Sequence, residues 1–147
     1  MLTLGGERTL FQLAVDRLKG LFAPDHIFVV TVAEQAELLQ KQCPELDAHN
    51  FLLEPMPRGT ASVVGLAAIA LRQRDPQAVI TILTADHLIP NVKAFQSTIQ
   101  AAMQVARQGY LVTLGIHPTY AATGYGYIHR GNELFKVNNL PVFNVLR

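Results

Sequence analysis

The chain has 147 residues, half of them hydrophobic, with 16% charged and a formal net charge of +1. That length suggests one domain with a real core, and the low charge excludes a long disordered tail. Lys and Arg are scattered, which argues against nucleic acid, since such binding usually leaves a basic stripe.

Short β-branched runs alternate with longer segments of helical period. "RTLFQLAVDRLKGLF" places Phe11, Val15, Leu18 and Phe22 on one helical face. "IFVVTV" (Ile27 to Val32) is expected as a buried strand. Ala33 to Gln42 follows as a short helix ended by Pro44, and "FLLE" is the next strand. Thr60 to Arg74 is a helix with Asp75-Pro76 as its stop. "VITILTA" (Val79 to Ala85) is expected as a strand buried on both faces. Asn91 caps a helix with Val92, Phe95, Ile99, Ala102, Met103 and Ala106 on one stripe, and Gly109 ends it. "YLVTLGI" (Tyr110 to Ile116) is another expected strand.

After Ile116 the rhythm changes. A glycine-rich stretch is followed by strand-like "ELFKV" and "VFNVL" without an obvious helix. About 1–116 therefore reads as βα units, and about 117–147 as a separate β segment. The expected class is α/β, a mainly parallel sheet with helices on both faces.

The longest apolar run, Ala61 to Leu71, is far short of the roughly 20 residues that span a bilayer. "MLTLGGERTL" shows no basic or apolar targeting pattern. The single cysteine, Cys43, cannot form an internal disulfide and fits a reducing compartment. It reads as an ordinary small side chain near a helix end. The expectation is a soluble, cytoplasmic protein without a membrane partner.

Ligands of open parallel sheets bind beyond the carboxyl ends of the strands. Three corners of this kind are polar: Glu54 to Thr60, Thr84 to His87, and Thr123 to Tyr127. The first offers backbone N–H groups at Gly59 and Thr60, suited to an anion or the acceptor edge of a base. A Pro-stiffened turn with Thr60 as N-cap explains the same residues. At the second, Asp86 follows an apolar run, as a carboxylate holding Mg²⁺ beside phosphates does. An Asp bonding its own turn amides is the alternative. His87 has no second His or Cys at ligand spacing and reads as structural, or as a partner of Asp86. At the third, Gly124 and Gly126 bracket Tyr125, and alternation puts Tyr125 and Tyr127 on one face of an extended segment. A glycine bend at a sheet corner is equally consistent. No nucleophile elbow, dinucleotide fingerprint in a strand–helix context or Walker loop is present.

"EPMPRGTAS", "LTADHLIPNVKAF" and "LVTLGIHPTYAATGYGYIHRG", in this order and spacing, resemble mannose-1-phosphate guanylyltransferases (GDP-mannose pyrophosphorylases). The resemblance runs from about Leu2 to Gly131. It implies a Rossmann-like nucleotidyltransferase fold, with GTP and mannose 1-phosphate as partners, and it admits a homo-oligomer. The implied reaction transfers GMP from GTP to mannose 1-phosphate, giving GDP-mannose and pyrophosphate. Glu54 and Gly59 would border the base, with Arg58 and Thr60 in the same nucleotide-binding motif. Asp86 would be the catalytic carboxylate that holds the cofactor Mg²⁺. Tyr125 and Gly126 would line the sugar.

The family usually reads R-N-T-A-P where this chain has R-G-T-A-S, a departure that bears on guanine selectivity. The resemblance further implies that the family's first strand and triphosphate loop precede Met1, and that a second metal-binding Asp follows Arg147. The expectation is the middle of a catalytic domain, first strand missing, belonging to a longer enzyme. The alternatives are another sugar-phosphate nucleotidyltransferase, or an inactive nucleotide-binding or assembly fragment.

Overall fold

The computed structural model describes residues 6–147, so the opening of the resemblance at Leu2 lies outside the described residues. The contacts divide the chain into two units, Met1–Val92 and Lys93–Arg147.

In the first unit, Thr9 starts helix α1 (Leu10–Asp16) through a reciprocal cap. The Gln12 N–H donates to the Thr9 hydroxyl at 3.2 Å, and the Thr9 N–H donates to Gln12 Oε1 at 3.0 Å. Gln12 Nε2 also donates to the Gln42 carbonyl at 2.9 Å, tying the start of α1 to the end of helix α2 (Ala33–Gln42). Strand β1 (Val29–Val32) runs directly into α2. Strand β2 (Phe51–Glu54) pairs with β1 in parallel, with Val29 opposite Phe51 and Val32 opposite Glu54. Helix α3 (Thr60–Arg74) follows and contacts β2. The bounds of α2, β2 and α3 are those expected.

The core lies where α1, α2 and the sheet meet. Phe11, Val15, Ile27, Leu39, Cys43 and Leu46 are buried together, with Leu18, Phe22, Val29 and Phe51 packed against them. This is the apolar face of the first helical segment, although α1 itself ends at Asp16. Burying each such side chain contributes roughly 1.5–3 kcal/mol. At the rim, Asp16 pairs with Arg8 and with Lys19 at 2.7 Å, and Lys19 reaches Glu45 at 3.1 Å. Partial burial opposes the Asp16 charge. Hydrogen bonds and attraction from Lys19 and Arg8 outweigh it and hold the carboxyl below its usual range.

One polar side chain is fully buried within this core. Asn50, 1% exposed, donates through Nδ2 to the carbonyls of Pro24 at 2.8 Å and Ile27 at 2.7 Å. Its Oδ1 accepts the Asp47 N–H at 2.8 Å. Two connections that enter β1 and β2 are thereby joined through one amide.

The second unit holds most of helix α4 (Val92–Ala106) and a hairpin. Ile99 of the expected stripe is fully buried, together with Ala101 and Val105. Gly109, at φ 91°, ends the helix with its N–H on the Ala106 carbonyl at 2.9 Å. Strands β3 (Arg130–Val137) and β4 (Leu140–Val145) are antiparallel; β3 includes the expected run "ELFKV", and β4 covers "VFNVL" except its last residue, Leu146. Asn138 and Asn139, both at positive φ (51° and 64°), make the two-residue turn between them.

Two expected strands are corrected. Val79 to Ala85 and Tyr110 to Ile116 join no ladder among the described residues. Ile82 is 43% exposed, and Leu111 and Ile116 are exposed almost throughout. Apolar β-branched composition marks a segment suited to an interior strand, but a ladder forms only where a neighbour supplies the matching groups. The chain is α/β, with a two-stranded parallel sheet and a separate two-stranded hairpin. No helix among the described residues is long and apolar enough to cross a membrane.

Replacing Asn50 with Ala removes the partner of the Ile27 carbonyl and of the Asp47 N–H. The bond to the Ile27 carbonyl is the buried one of these, and with a buried unsatisfied group costing about 1–3 kcal/mol, Asn50→Ala should lose about 1–3 kcal/mol in urea unfolding of the chain. A loss under 0.5 kcal/mol would show that the amide is not structural.

Cys43 closes α2 at 1% exposure, and its thiol is free. Burial, then the charges of Glu45 and Asp16, push the thiol up from 9.0 to about 11. Between these values the unfolded chain loses the proton first, so the folded state binds more protons. Stability should therefore fall as pH rises from about 9 to about 11, and Cys43→Ala should flatten that part of the urea-midpoint profile.

Candidate functional site

The base-side corner lies where β2 passes into α3. Glu54 ends β2, half-buried, opposite Val32. Pro55 and Pro57 stiffen the chain that follows. Gly59 then takes φ 84°, ψ 172° and is the N-cap of α3. That backbone region is essentially restricted to glycine, costing other residues of order 1–3 kcal/mol. Thr60 is consequently the first helical residue, as the expected bounds of α3 have it, and the alternative reading with Thr60 as N-cap is corrected to Gly59. No side chain caps this end. The Gly59 carbonyl accepts the N–H groups of Ser62 at 3.1 Å and Val63 at 3.3 Å. The N–H groups of Gly59, Thr60 and Ala61 have no partner among the described residues. Three donors at the positive end of a fifteen-residue helix form a ready acceptor-binding edge. Arg58 is exposed beside them, and its carbonyl accepts the Ser62 hydroxyl at 3.3 Å. In this chain Ser62 is thus turned back on the corner itself.

Asp86 lies in the same unit, in the bend after Thr84. Its side chain is 79% exposed, and among the described residues it accepts no backbone N–H. The expected alternative, an Asp engaged by its own turn amides, is therefore not the arrangement found. His87 Nε2 stands 4.0 Å from Asp86 Oδ1, a contact that between exposed groups is worth little. The carboxylate remains open to a cation. The described residues contain no cluster of three or more His, Cys, Asp or Glu suited to a metal.

The turn bearing Asp86 is held from below. Arg17, which closes α1 and is 4% exposed, donates through Nη1 to the His87 carbonyl at 2.7 Å and through Nη2 to the Thr84 carbonyl at 3.0 Å. A cleft of about 320 Å³ opens beside it, walled by Leu13, Asp16, Leu88, Ile89 and Pro90. The sequence reading passed over Arg17. Its partners lie 67 and 70 residues further along the chain, and no local pattern marks such a contact.

Tyr125 and Gly126 belong to the second unit. Tyr125 sits in a bend that begins at Thr123, not in an extended segment, so simple alternation with Tyr127 does not apply. Tyr127 folds back, its hydroxyl donating to the Ala122 carbonyl at 2.8 Å. Tyr125 is 76% exposed, and a Cβ built on Gly126 would meet nothing within 4 Å. The Gly126 backbone is thus open to close approach by a ligand.

Against this geometry, the profile of the family described as "Nucleotidyl transferase" matches residues 1–141. The chain belongs to the nucleotidyl transferase family, a family of α/β enzymes with a Rossmann-like fold. It is 39% identical over 144 residues to the mannose-1-phosphate guanylyltransferase of Salmonella montevideo, covering 94% of this chain and 29% of that protein. It is 39% identical over 136 residues to a putative mannose-1-phosphate guanylyltransferase of Vibrio cholerae, covering 87% and 28%. With the mannose-1-phosphate guanylyltransferase of Escherichia coli K12 the identity is 35% over 152 residues, covering 98% and 31%. The chain thus spans less than a third of the length of these relatives.

The Gly59 backbone gives a direct test of the corner. A Cβ there meets nothing within 4 Å, so the cost of Gly59→Ala is that of the backbone alone. It should lower stability by about 1–3 kcal/mol. Gly124→Ala, also in open space but without positive φ, should stay within about 0.5 kcal/mol. Equal effects in thermal unfolding would contradict the strained corner.

Proposed function

We propose that the chain carries the nucleotide side and part of the sugar side of a mannose-1-phosphate guanylyltransferase. The supporting observation is the uncapped start of α3, following β2 in the chain, where three N–H donors have no partner among the described residues. Donors so placed suit the acceptor edge of a base or an anionic group, and a nucleotide offers both.

In this reading Glu54 and Gly59 border guanine, with Arg58 and Thr60 completing that edge. Tyr125 and the Gly126 N–H hold the sugar. A phosphate oxygen of mannose 1-phosphate attacks the α-phosphorus of GTP. The bond from that phosphorus to the bridging oxygen breaks, and pyrophosphate leaves with the electron pair. No protein atom is covalently changed, so the chain's contribution is positioning and charge. When bound, Mg²⁺ would neutralise phosphate charge, and Asp86 is the residue that would hold it. The buried free thiol of Cys43 and the use of GTP both fit a cytoplasmic setting.

The test exchanges residues 1–147 into the Salmonella montevideo relative in place of the stretch they match. The chimera should form GDP-mannose from GTP and mannose 1-phosphate. Asp86→Asn in the chimera should cut turnover on the order of a hundredfold, the scale of one lost charge-stabilising group, without lowering the melting temperature. A folded chimera that uses another nucleoside triphosphate instead would move the assignment to a related sugar-phosphate nucleotidyltransferase. One that transfers from none would refute it.

A further inference from the structure

Among the described residues the Asp86 side chain accepts no hydrogen bond that would fix it, so the backbone around it sets where the carboxylate points. Thr84 precedes it by two residues, and His87 follows it. The carbonyls of these two residues are the ones that Arg17 grips, at 3.0 and 2.7 Å. A guanidinium is a rigid planar fork, so two carbonyls bound to its two terminal nitrogens are fixed relative to each other. The grip falls on backbone oxygens, which leaves the carboxylate between them uncommitted.

The other end of the clamp is equally well fixed. Arg17 closes α1, its own N–H bonded to the Leu13 and Val15 carbonyls. That helix is anchored by Phe11 and Val15 in the core and by the Thr9–Gln12 cap. A side chain 4% exposed also has little room to swing. Placing an arginine there is costly, because burial opposes its charge. A leucine or methionine would fill the space more cheaply, so the observed use of a cation calls for a role beyond packing.

We propose that Arg17 is a positioning residue for the metal-holding carboxylate, its guanidinium clamping the Thr84 and His87 carbonyls so that Asp86 is presented to a divalent cation. This rests on the assignment of Asp86 as the metal-holding residue. Arg17 touches neither the cation nor the nucleotide in this proposal and acts only through the turn.

The test uses the full 147-residue chain, labelled with ¹⁵N and titrated with MnCl₂, reading paramagnetic broadening of backbone amides. In the wild type the Asp86 and His87 amides should broaden. Asp86→Asn should abolish this. Arg17→Met should raise the Mn²⁺ concentration for half-maximal broadening about tenfold, the lower end of what an orienting partner behind a metal ligand contributes. Broadening near the exposed carboxylates Asp25 and Asp75 should stay unchanged in every variant, which a general structural defect would not allow.

If Asp86→Asn loses the broadening while a well-dispersed Arg17→Met titrates like the wild type, the role of Arg17 is refuted and that of Asp86 stands. If Asp86→Asn itself changes nothing, the metal assignment falls and this proposal with it. Should Arg17→Met fail to fold, Arg17→Lys decides, since it keeps the charge and loses the fork. An intermediate shift supports the clamp, and a wild-type titration overturns it.

Discussion

The parallel register of β1 and β2 is the constraint from which the first unit follows. Only four residue pairs define it, from Val29 opposite Phe51 to Val32 opposite Glu54. A slip of one residue would turn Phe51 away from the core and invert every side chain of β2. So short a ladder cannot resist slipping on its own hydrogen bonds. Asn50 supplies the missing restraint just before the first pair, joining the segment that enters β2 to the one that enters β1. Its bond to the Ile27 carbonyl is buried, so losing that bond would leave a buried acceptor unsatisfied.

With that register set, both strands end at the same level, and the chain leaves each of them into a helix. At β1 the exit is immediate: Val32 is the N-cap of α2, and the helix begins at the next residue. At β2 the exit is delayed by Pro55, Met56, Pro57, Arg58 and Gly59 before α3 begins. The delay separates the helix start from the strand end by five residues. The two polar features of this unit then complement one another chemically. The start of α3 presents backbone donors, and the Asp86 turn presents an exposed carboxylate acceptor.

Much of this was legible because the sequence punctuates it. Pro44, the Glu54-Pro55 junction and Asp75-Pro76 bound α2, β2 and α3, and proline restricts its neighbours without reference to the rest of the fold. The candidate corners were readable as polar breaks in the chain, and Gly59 and Asp86 both lie between regular elements. The first residue of α3 was legible, but its N-cap was open: Thr60 has the better capping side chain, and the backbone at φ 84° gives the position to Gly59. The Asn138-Asn139 pair was a readable hairpin signal that the strand patterns overshadowed. Arg17 was not readable at all. Its role comes from partners more than sixty residues away, and helical period describes only which face a residue occupies.

The corrected strands carry a further physical lesson. Val79 to Ala85, Tyr110 to Ile116 and α3 are all apolar enough to be interior, yet Ala67 is the only fully buried residue of α3 and Ile69 is 65% exposed. A helix apolar on every side is suited to burial on more than one side, and among the described residues α3 has β2 as its main neighbour. Burial belongs to a segment and its neighbours together; composition states only how much would be gained, at roughly 25 cal/mol for each Å² removed from water. The unladdered runs combine backbone groups that join no ladder among the described residues with exposed apolar side chains, which is the combination that favours pairing with another strand. The well-determined part of the first unit is accordingly the part with neighbours on both sides: α1, α2 and the β1–β2 pair around Leu46 and Cys43. The Asp86 turn lies outside that core and beyond any ladder, so a fixed geometry there depends on side chains reaching out from the core, and Arg17 is a buried side chain that does so.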